Sequence, residues 1–309
     1  MRTGKAARGA GRSSGGVIPL KAMGATTFAV LLLLCGCGSG ADANPEEAGA
    51  ASSVTGGATG GDTGESLLVT IPGTLAASVV ELQGTVRGGL GMAIMPVGGQ
   101  RAATFGDWRT GPAWSTMKVP LVIAAARNSP GSYTSAASSA ITASDNSAAD
   151  TLWQSLGTGK EAAQAVEQVL REGGDTATTV PDTTTRSDAS AFGQSDWALA
   201  DQVRFASQLP CLPQSEQVIT LMSKIISSQR WGLGTFTSAE FKGGWGPDAQ
   251  GQYLVRQFGL VSTDTGQIAI AMAAQPDSGT FADGMNMLDK LADVVAEHIG
   301  ELTGGSCPA

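Results

Sequence analysis

Strand-forming segments occupy both ends of the ordered-looking part of this chain and helix-forming segments its middle, and that distribution restricts the fold more than any other feature. From about residue 237, "SAEFKGGW", "QYLVRQFGLVS" and "QIAIAMAAQ" are separated by "GPDAQG" and "TDTG". The separators have turn compositions, so these segments read as a three-strand antiparallel meander. Near the start, "GLGMAIMPVGG" and "RAATFGDW" read as two short strands around a Gly-Gly turn. A helix comes before them, "IPGTLAASVVELQGTV", with Leu75, Val79, Val80 and Leu82 near one face. A closing helix, "FADGMNMLDKLADVVAEHIGELTG", carries Leu288, Leu291, Val295, His298 and Leu302 on a stripe. Between these ends lie "PAWSTMKVPLVIAAARNSPG", "NSAADTLWQSLG", "KEAAQAVEQVLREGG", "DWALADQVRFASQL" and "SEQVITLMSKIISSQ", all helical in pattern. In the third, Ala163, Val166, Val169 and Leu170 keep helical spacing and a Gly pair ends the helix. One sheet built from both ends, covered by the terminal helices, with a second helical lobe from the middle, is an α/β (α+β) architecture.

The segment ahead of that region is of a different kind. Residues 1–36 hold Arg2, Lys5, Arg8, Arg12 and Lys21 and no acid, followed by the apolar run "FAVLLLL" and the small residues "CGCGSG". This reads as an export signal, and the apolar run is too short to span a bilayer. Leu34-Cys35-Gly36-Cys37 resembles the box at which bacterial lipoprotein signals end, with Cys37 as the lipid-bearing first mature residue; a plain secretory signal is the alternative. Residues 37–65, rich in Gly, Ala, Ser and Thr, have almost nothing large and apolar to bury and read as a flexible tether. The folded domain is expected over residues 66–309. Taking the five leader cations from the 19 basic residues leaves 14 against 27 acids, a net of −13, which excludes a basic surface for nucleic acid. Cys211 and Cys307 remain: in an oxidising compartment they either pair, stabilising by roughly 4 to 5 kcal/mol if the loop is unstrained, or stay as two thiols.

Within the first central helix, Ser115 and Lys118 are three residues apart, on one face and about 5 to 6 Å apart at Cβ. A semi-buried lysine loses affinity for its proton, and a neutral amine is what a serine hydroxyl needs in order to be deprotonated. The helix N-terminus would also aim free backbone N–H groups at an oxyanion formed beside Ser115. Other schemes are poorly supplied. The single histidine, His298, lies on the closing helix's apolar stripe and reads as a packing residue, which disfavours both a Ser-His-Asp triad and a multi-histidine zinc site. The Gly-rich "GGATGG" follows no strand and precedes no Lys-Ser/Thr pair, so a phosphate-cradling loop is unsupported.

Two further clusters join the Ser-x-x-Lys pair. "ITASDNSAAD" holds Ser144-Asp145-Asn146 at a helix start, and "EFKGGWGPD" holds Lys242-Gly243-Gly244 on a strand before a turn. Ser-x-x-Lys, Ser-Asp-Asn and a Lys-Thr-Gly-type triplet, in that order, form the set of serine β-lactamases and penicillin-binding proteins. The region from about residue 66 to 305 therefore resembles the β-lactamase/transpeptidase-like family, in a divergent, class A-like form. The resemblance implies Ser115 as acylated nucleophile, Lys118 as its base or proton relay, and Ser144 as the donor of a proton to the leaving amine. It also implies a substrate-binding side made by Asn146, Lys242, Gly244 and Trp245, with the backbone N–H groups of Ser115 and Trp245 as oxyanion hole. No metal or organic cofactor is expected.

The sequence departs from that pattern in three places. Only 28 residues separate Ser115 from Ser144, fewer than typical members use, so the cleft should be more open. The third triplet lacks the hydroxyl that meets a substrate carboxylate; Arg256 on the next strand either takes over that contact or is an ordinary surface arginine. The stretch "GGDTATTVPDTTTRSDASAFGQSDW" contains no Glu, whereas class A enzymes use a loop Glu to activate the deacylating water. Asp182 and Asp188 are the substitutes considered. The expectation is an exported, lipid-anchored monomer at the outer face of a bacterial cytoplasmic membrane, acting on β-lactams or D-Ala-D-Ala-type, peptidoglycan-like peptides through a slowly released acyl-Ser115. The alternative is a catalytically degenerate lipoprotein using the fold for cell-wall or protein binding.

Overall fold

The computed structural model describes residues 73–129, 135–187 and 189–308. The signal segment, Cys37 and the tether lie outside the described residues. No helix among the described residues is long and apolar enough to cross a membrane.

Helix α1 (Gly73–Thr85) buries Leu75, Val79 and Leu82, the i, i+4, i+7 spacing of one face. Val80, expected on that face, is 68% exposed, because one residue's advance rotates a side chain by about 100° around the helix. Strands β1 (Gly88–Pro96) and β2 (Ala103–Gly106) pair antiparallel, Gly91 opposite Gly106. Strands β3 (Glu240–Pro247), β4 (Tyr253–Thr263) and β5 (Gly266–Pro276) form the expected meander. β5 then pairs antiparallel with β1, Ile94 opposite Ile270. The sheet order is β2-β1-β5-β4-β3, so the two ends of the domain meet at the β1–β5 pairing and β3 is an edge.

Both faces of the sheet are covered, and adjacent residues of β4 show it, since neighbouring side chains on a strand point to opposite faces. Gln257 bonds to the backbone of Trp231 and Leu233, on the side of helix α8 (Phe281–Glu297). Arg256 points the other way and bonds to the Trp197 carbonyl and Gln202, on the side of helix α6 (Leu199–Gln208). Trp197, Phe205 and Phe258 interlock between α6 and the sheet with ring centroids 5.7 to 6.1 Å apart, an edge-and-tilt arrangement that suits aromatic quadrupoles. Leu288, Leu291 and Val295 of α8 are buried as their spacing requires. His298 ends that helix instead of packing in its stripe: its ring bonds to Ser78 Oγ and Glu301, each at 2.9 Å, tying α8 to α1.

The second lobe is helical. Its central member, α2 (Lys118–Asn128), is buried from Lys118 to Ala125. Around it lie α3 (Ser135–Thr142), α4 (Asn146–Ser155), α5 (Gly159–Glu172) and α7 (Glu216–Met222). α5 starts on a capping box between Thr158 and Glu161, which satisfies two otherwise orphaned N–H groups. α3 has no counterpart in the sequence reading: its "SAASSAIT" buries only Ala137, Ala140 and Ile141, too weak a stripe to stand out. Cys211 and Cys307 are joined as a disulfide.

Candidate active site

Ser115 lies in a single 3-10 turn, Trp114–Met117, that leads directly into α2. Trp114, just before it, has φ +50°, a left-handed backbone that non-glycine residues adopt at a cost and that gathers at functional sites. The turn is held from behind. Thr116 Oγ1 donates to the Ala113 carbonyl and accepts from Gln202 Nε2 at 3.0 Å. Gln202 in turn accepts from Arg256 at 2.8 Å, and Arg256 also donates to the carbonyls of Gly111, Pro112 and Trp197.

That network corrects the reading of Arg256. It is fully buried, its guanidinium also packs 5.4 Å from the Trp108 ring centroid, and its donors are directed to Gln202 and to backbone on either side of the Ser115 turn. It is neither a surface arginine nor a group facing the cleft. Four fixed acceptors at one planar fork are what a guanidinium serves and an ammonium does not.

Lys118, one helical turn beyond Ser115, is 1% exposed. Its Nζ donates to the Ser144 carbonyl at 2.5 Å, to Asn146 Oδ1 at 2.7 Å and, at 3.4 Å, to Ser144 Oγ. Burial lowers its pKa from 10.5 to about 8, with Asp145 and Asp150 pulling it back up. The Lys118 backbone N–H donates to the Ser115 carbonyl; no side-chain hydrogen bond joins the two among the described residues, and the i, i+3 geometry holds them adjacent. Ser144 sits in the turn before α4 with φ +59°, and Asp145 caps that helix by accepting from Ala148 N at 2.9 Å. The strained turn directs the Ser144 side chain and carbonyl to the same cation.

From the other side, Lys242 Nζ donates to Ser144 Oγ at 2.9 Å and to the Gly243 carbonyl at 2.8 Å. It is fully buried, and burial, with the Lys118 charge next, pushes its pKa well down. A hydroxyl has two acceptor positions and one donor. With both acceptor positions of Ser144 facing lysines, its proton is the part left for a substrate atom.

The glycines of the third triplet are explained by contact. A methyl group on Gly244 would lie 2.9 Å from the Ala113 carbonyl oxygen and 2.9 Å from Ser115 N, so β3 crosses the Ser115 turn with no room for a side chain. At Gly243, where a hydroxyl is missing, the Trp231 indole lies 3.3 Å from the position of a Cβ. Trp231 packs edge-on to Trp245, and both meet Phe281. Ser115, Asn146 and Trp245 line a cavity of about 170 Å³, together with Trp114, Ser190 and Tyr253.

Residues without a motif complete the surroundings. The Trp114 indole covers β3 at Gly246, where a Cβ would come within 2.5 Å of the ring. Arg186 lies over that ring, 5.6 Å from its centroid, and donates to the Pro247 carbonyl at 2.6 Å. The shortened connection predicted a more open cleft, yet its strand side is partly occupied. In the loop after α5, Asp175 is fully buried and accepts from Ala177 N, Thr178 N and Trp197 Nε1, a structural role. Asp182 is exposed, and Asp188 lies outside the described residues.

No protein-family model matches the sequence, and no curated protein matches it. Solved structures do match. A β-lactamase from Xanthomonas campestris is 15% identical, with a TM-score of 0.59 over 73% of this chain and 97% of that one. A β-lactamase from Chitinophaga pinensis is 15% identical, with a TM-score of 0.58 over 72% and 98%. An ancestral class A β-lactamase is 16% identical, with a TM-score of 0.56 over 72% and 99%. Taken with the five-stranded antiparallel sheet, the helical lobe and the three polar clusters meeting between them, these likenesses identify the fold: the chain has the β-lactamase/transpeptidase-like fold of the class A enzymes, in a divergent sequence.

Proposed function

We propose that the protein is an exported serine acyl-transfer enzyme, lipid-anchored through Cys37 at the outer face of the cytoplasmic membrane. It takes the acyl group of a β-lactam or a D-Ala-D-Ala-type peptide onto Ser115. One observation carries this reading: the Ser144 hydroxyl lies between two buried lysine amines, 2.9 Å from Lys242 and 3.4 Å from Lys118. Lys118 in its neutral form takes the Ser115 proton as Oγ attacks the carbonyl carbon. Ser144 delivers a proton to the nitrogen that leaves and regains one from the Lys118 ammonium, and Lys242 supplies positive potential for the substrate carboxylate. The N–H groups of Ser115 and Trp245 are assigned to the developing oxyanion. With no Glu in the loop after α5, release of the acyl group is slow. Labelling with a fluorescent penicillin tests the reading: wild type is expected to retain the label and Ser115→Ala to lose it.

A second reading, a binding lipoprotein without turnover, is favoured by the Trp114 indole and Arg186 lying over the strand side of the cleft. It is the outcome if neither protein is labelled.

A further inference from the structure

The slow release step still needs a group that takes a proton from water, and the loop after α5 supplies no glutamate. A carboxylate stands beside the site on a different element. Asp150 stands four residues after Asn146 on α4, and positions four apart share a helix face. It lines a cavity of about 390 Å³ with Asn146, Ser190 and Phe192. Those same three residues also line the cavity at Ser115, so the two spaces adjoin along a common wall. Ser190 Oγ donates to Asp150 Oδ1 at 3.0 Å, which fixes the carboxylate at that wall and leaves its second oxygen available. The Asp150 charge also raises the proton affinity of Lys118, against the larger effect of burial.

The other carboxylates near the site are otherwise engaged. Asp145 caps α4, and Asp175 is saturated by three donors. Asp182 and Asp150 both border the larger cavity and neither lines the one at Ser115; Asp182 is exposed, whereas Asp150 is half-buried and bonded to Ser190, which lines both.

We infer that Asp150, oriented by Ser190, is the general base that activates the water hydrolysing the acyl-Ser115 ester. This rests on the acyl-Ser115 reading above. The water oxygen bonds to the ester carbonyl carbon while its proton passes to the Asp150 carboxylate. The bond between that carbon and Ser115 Oγ then breaks, and the proton held by Asp150 passes through the neutral Lys118 amine to Oγ. The products are the free acid and the original serine. An aspartate is one methylene shorter than a glutamate, and this one approaches from a helix and not from the loop, which fits a step that proceeds but is slow.

The test uses the full chain loaded with a fluorescent penicillin, freed of excess reagent, with loss of the adduct followed by fluorescence and intact mass. The variants are Asp150→Asn, which keeps the acceptor for Ser190, Ser190→Ala and, as a control, Asp182→Asn. The expected result is adduct on every protein, decay slowed roughly 10²-fold in Asp150→Asn, a smaller slowing in Ser190→Ala, and none in Asp182→Asn. An adduct that decays equally fast in wild type and Asp150→Asn overturns the role of Asp150 and leaves the acyl-Ser115 reading intact. So does slowing only in Asp182→Asn, or an adduct that never decays from wild type. Absence of any adduct on wild type overturns both.

Discussion

Lys118 is subject to opposed effects, and their balance sets its chemistry. Burial favours the neutral amine, while Asp145 and Asp150 favour the ammonium, leaving a pKa of about 8. At neutral pH roughly one molecule in ten then holds the neutral amine, so acylation of Ser115 should accelerate with pH and level off above about 8. Stopped-flow acylation by a chromogenic cephalosporin measures that profile, and Lys118→Met should lose about 10²- to 10⁴-fold of the rate. The same shift affects stability. Between about 8 and 10.5 the unfolded chain binds more protons at this residue than the folded one, so stability rises with pH across that window. Below it the full penalty, about 3 kcal/mol, is present. Urea unfolding of wild type against Lys118→Met, from neutral pH to 10.5, should show a difference that changes by about that amount. Arg256 belongs to the same scale but to structure: truncating it strands four acceptors behind the nucleophile turn. Arg256→Ala should cost on the order of 3 kcal/mol in urea unfolding.

At the scale of elements, the site depends on how closely β3 passes the 3-10 turn of Ser115. The clearance at Gly244 leaves no space for a methyl group against three backbone atoms, Ala113 O, Ser115 N and Thr116 N, and backbone cannot rotate away as a side chain does. Gly244→Ala should therefore displace the nucleophile, lowering acylation by more than about tenfold while costing about 1 to 3 kcal/mol of stability; penicillin labelling rates and urea midpoints separate the two effects. Elements with a strong pattern were legible in the sequence: β3 to β5 from their turns, α5 from its stripe and terminal Gly pair, α8 from Leu288, Leu291 and Val295. α3 was not, because alanines and serines give little contrast between faces and its burial is imposed by α4 and α7. Val80 was misplaced because α1 lies at the surface and buries one narrow face, and Val80 is turned about 100° from Val79 around the helix. His298 was misread because its polar partners, Ser78 and Glu301, lie partly on another helix.

At the scale of the whole molecule, the disulfide links Cys211, just after α6, to Cys307 at the end of the chain, 96 residues apart. In the chain-entropy account a loop of that length stabilises by about 4 to 5 kcal/mol. Cys211→Ser with Cys307→Ser, or reduction of wild type, should lower stability by up to that amount in urea unfolding, with penicillin labelling retained. The sequence by itself determined the sheet from two ends and the helical lobe, and singled out Ser115, Lys118, Ser144 and Lys242 as the candidate site, because helix and strand periods and short spacings are local properties of a chain. Tertiary structure alone decided that Arg256 faces inward and Trp114 covers Gly246, and that Asp150 meets Ser190 beside the cleft. Those contacts join residues 40 to more than 130 positions apart, and no local period encodes which distant surfaces folding will press together.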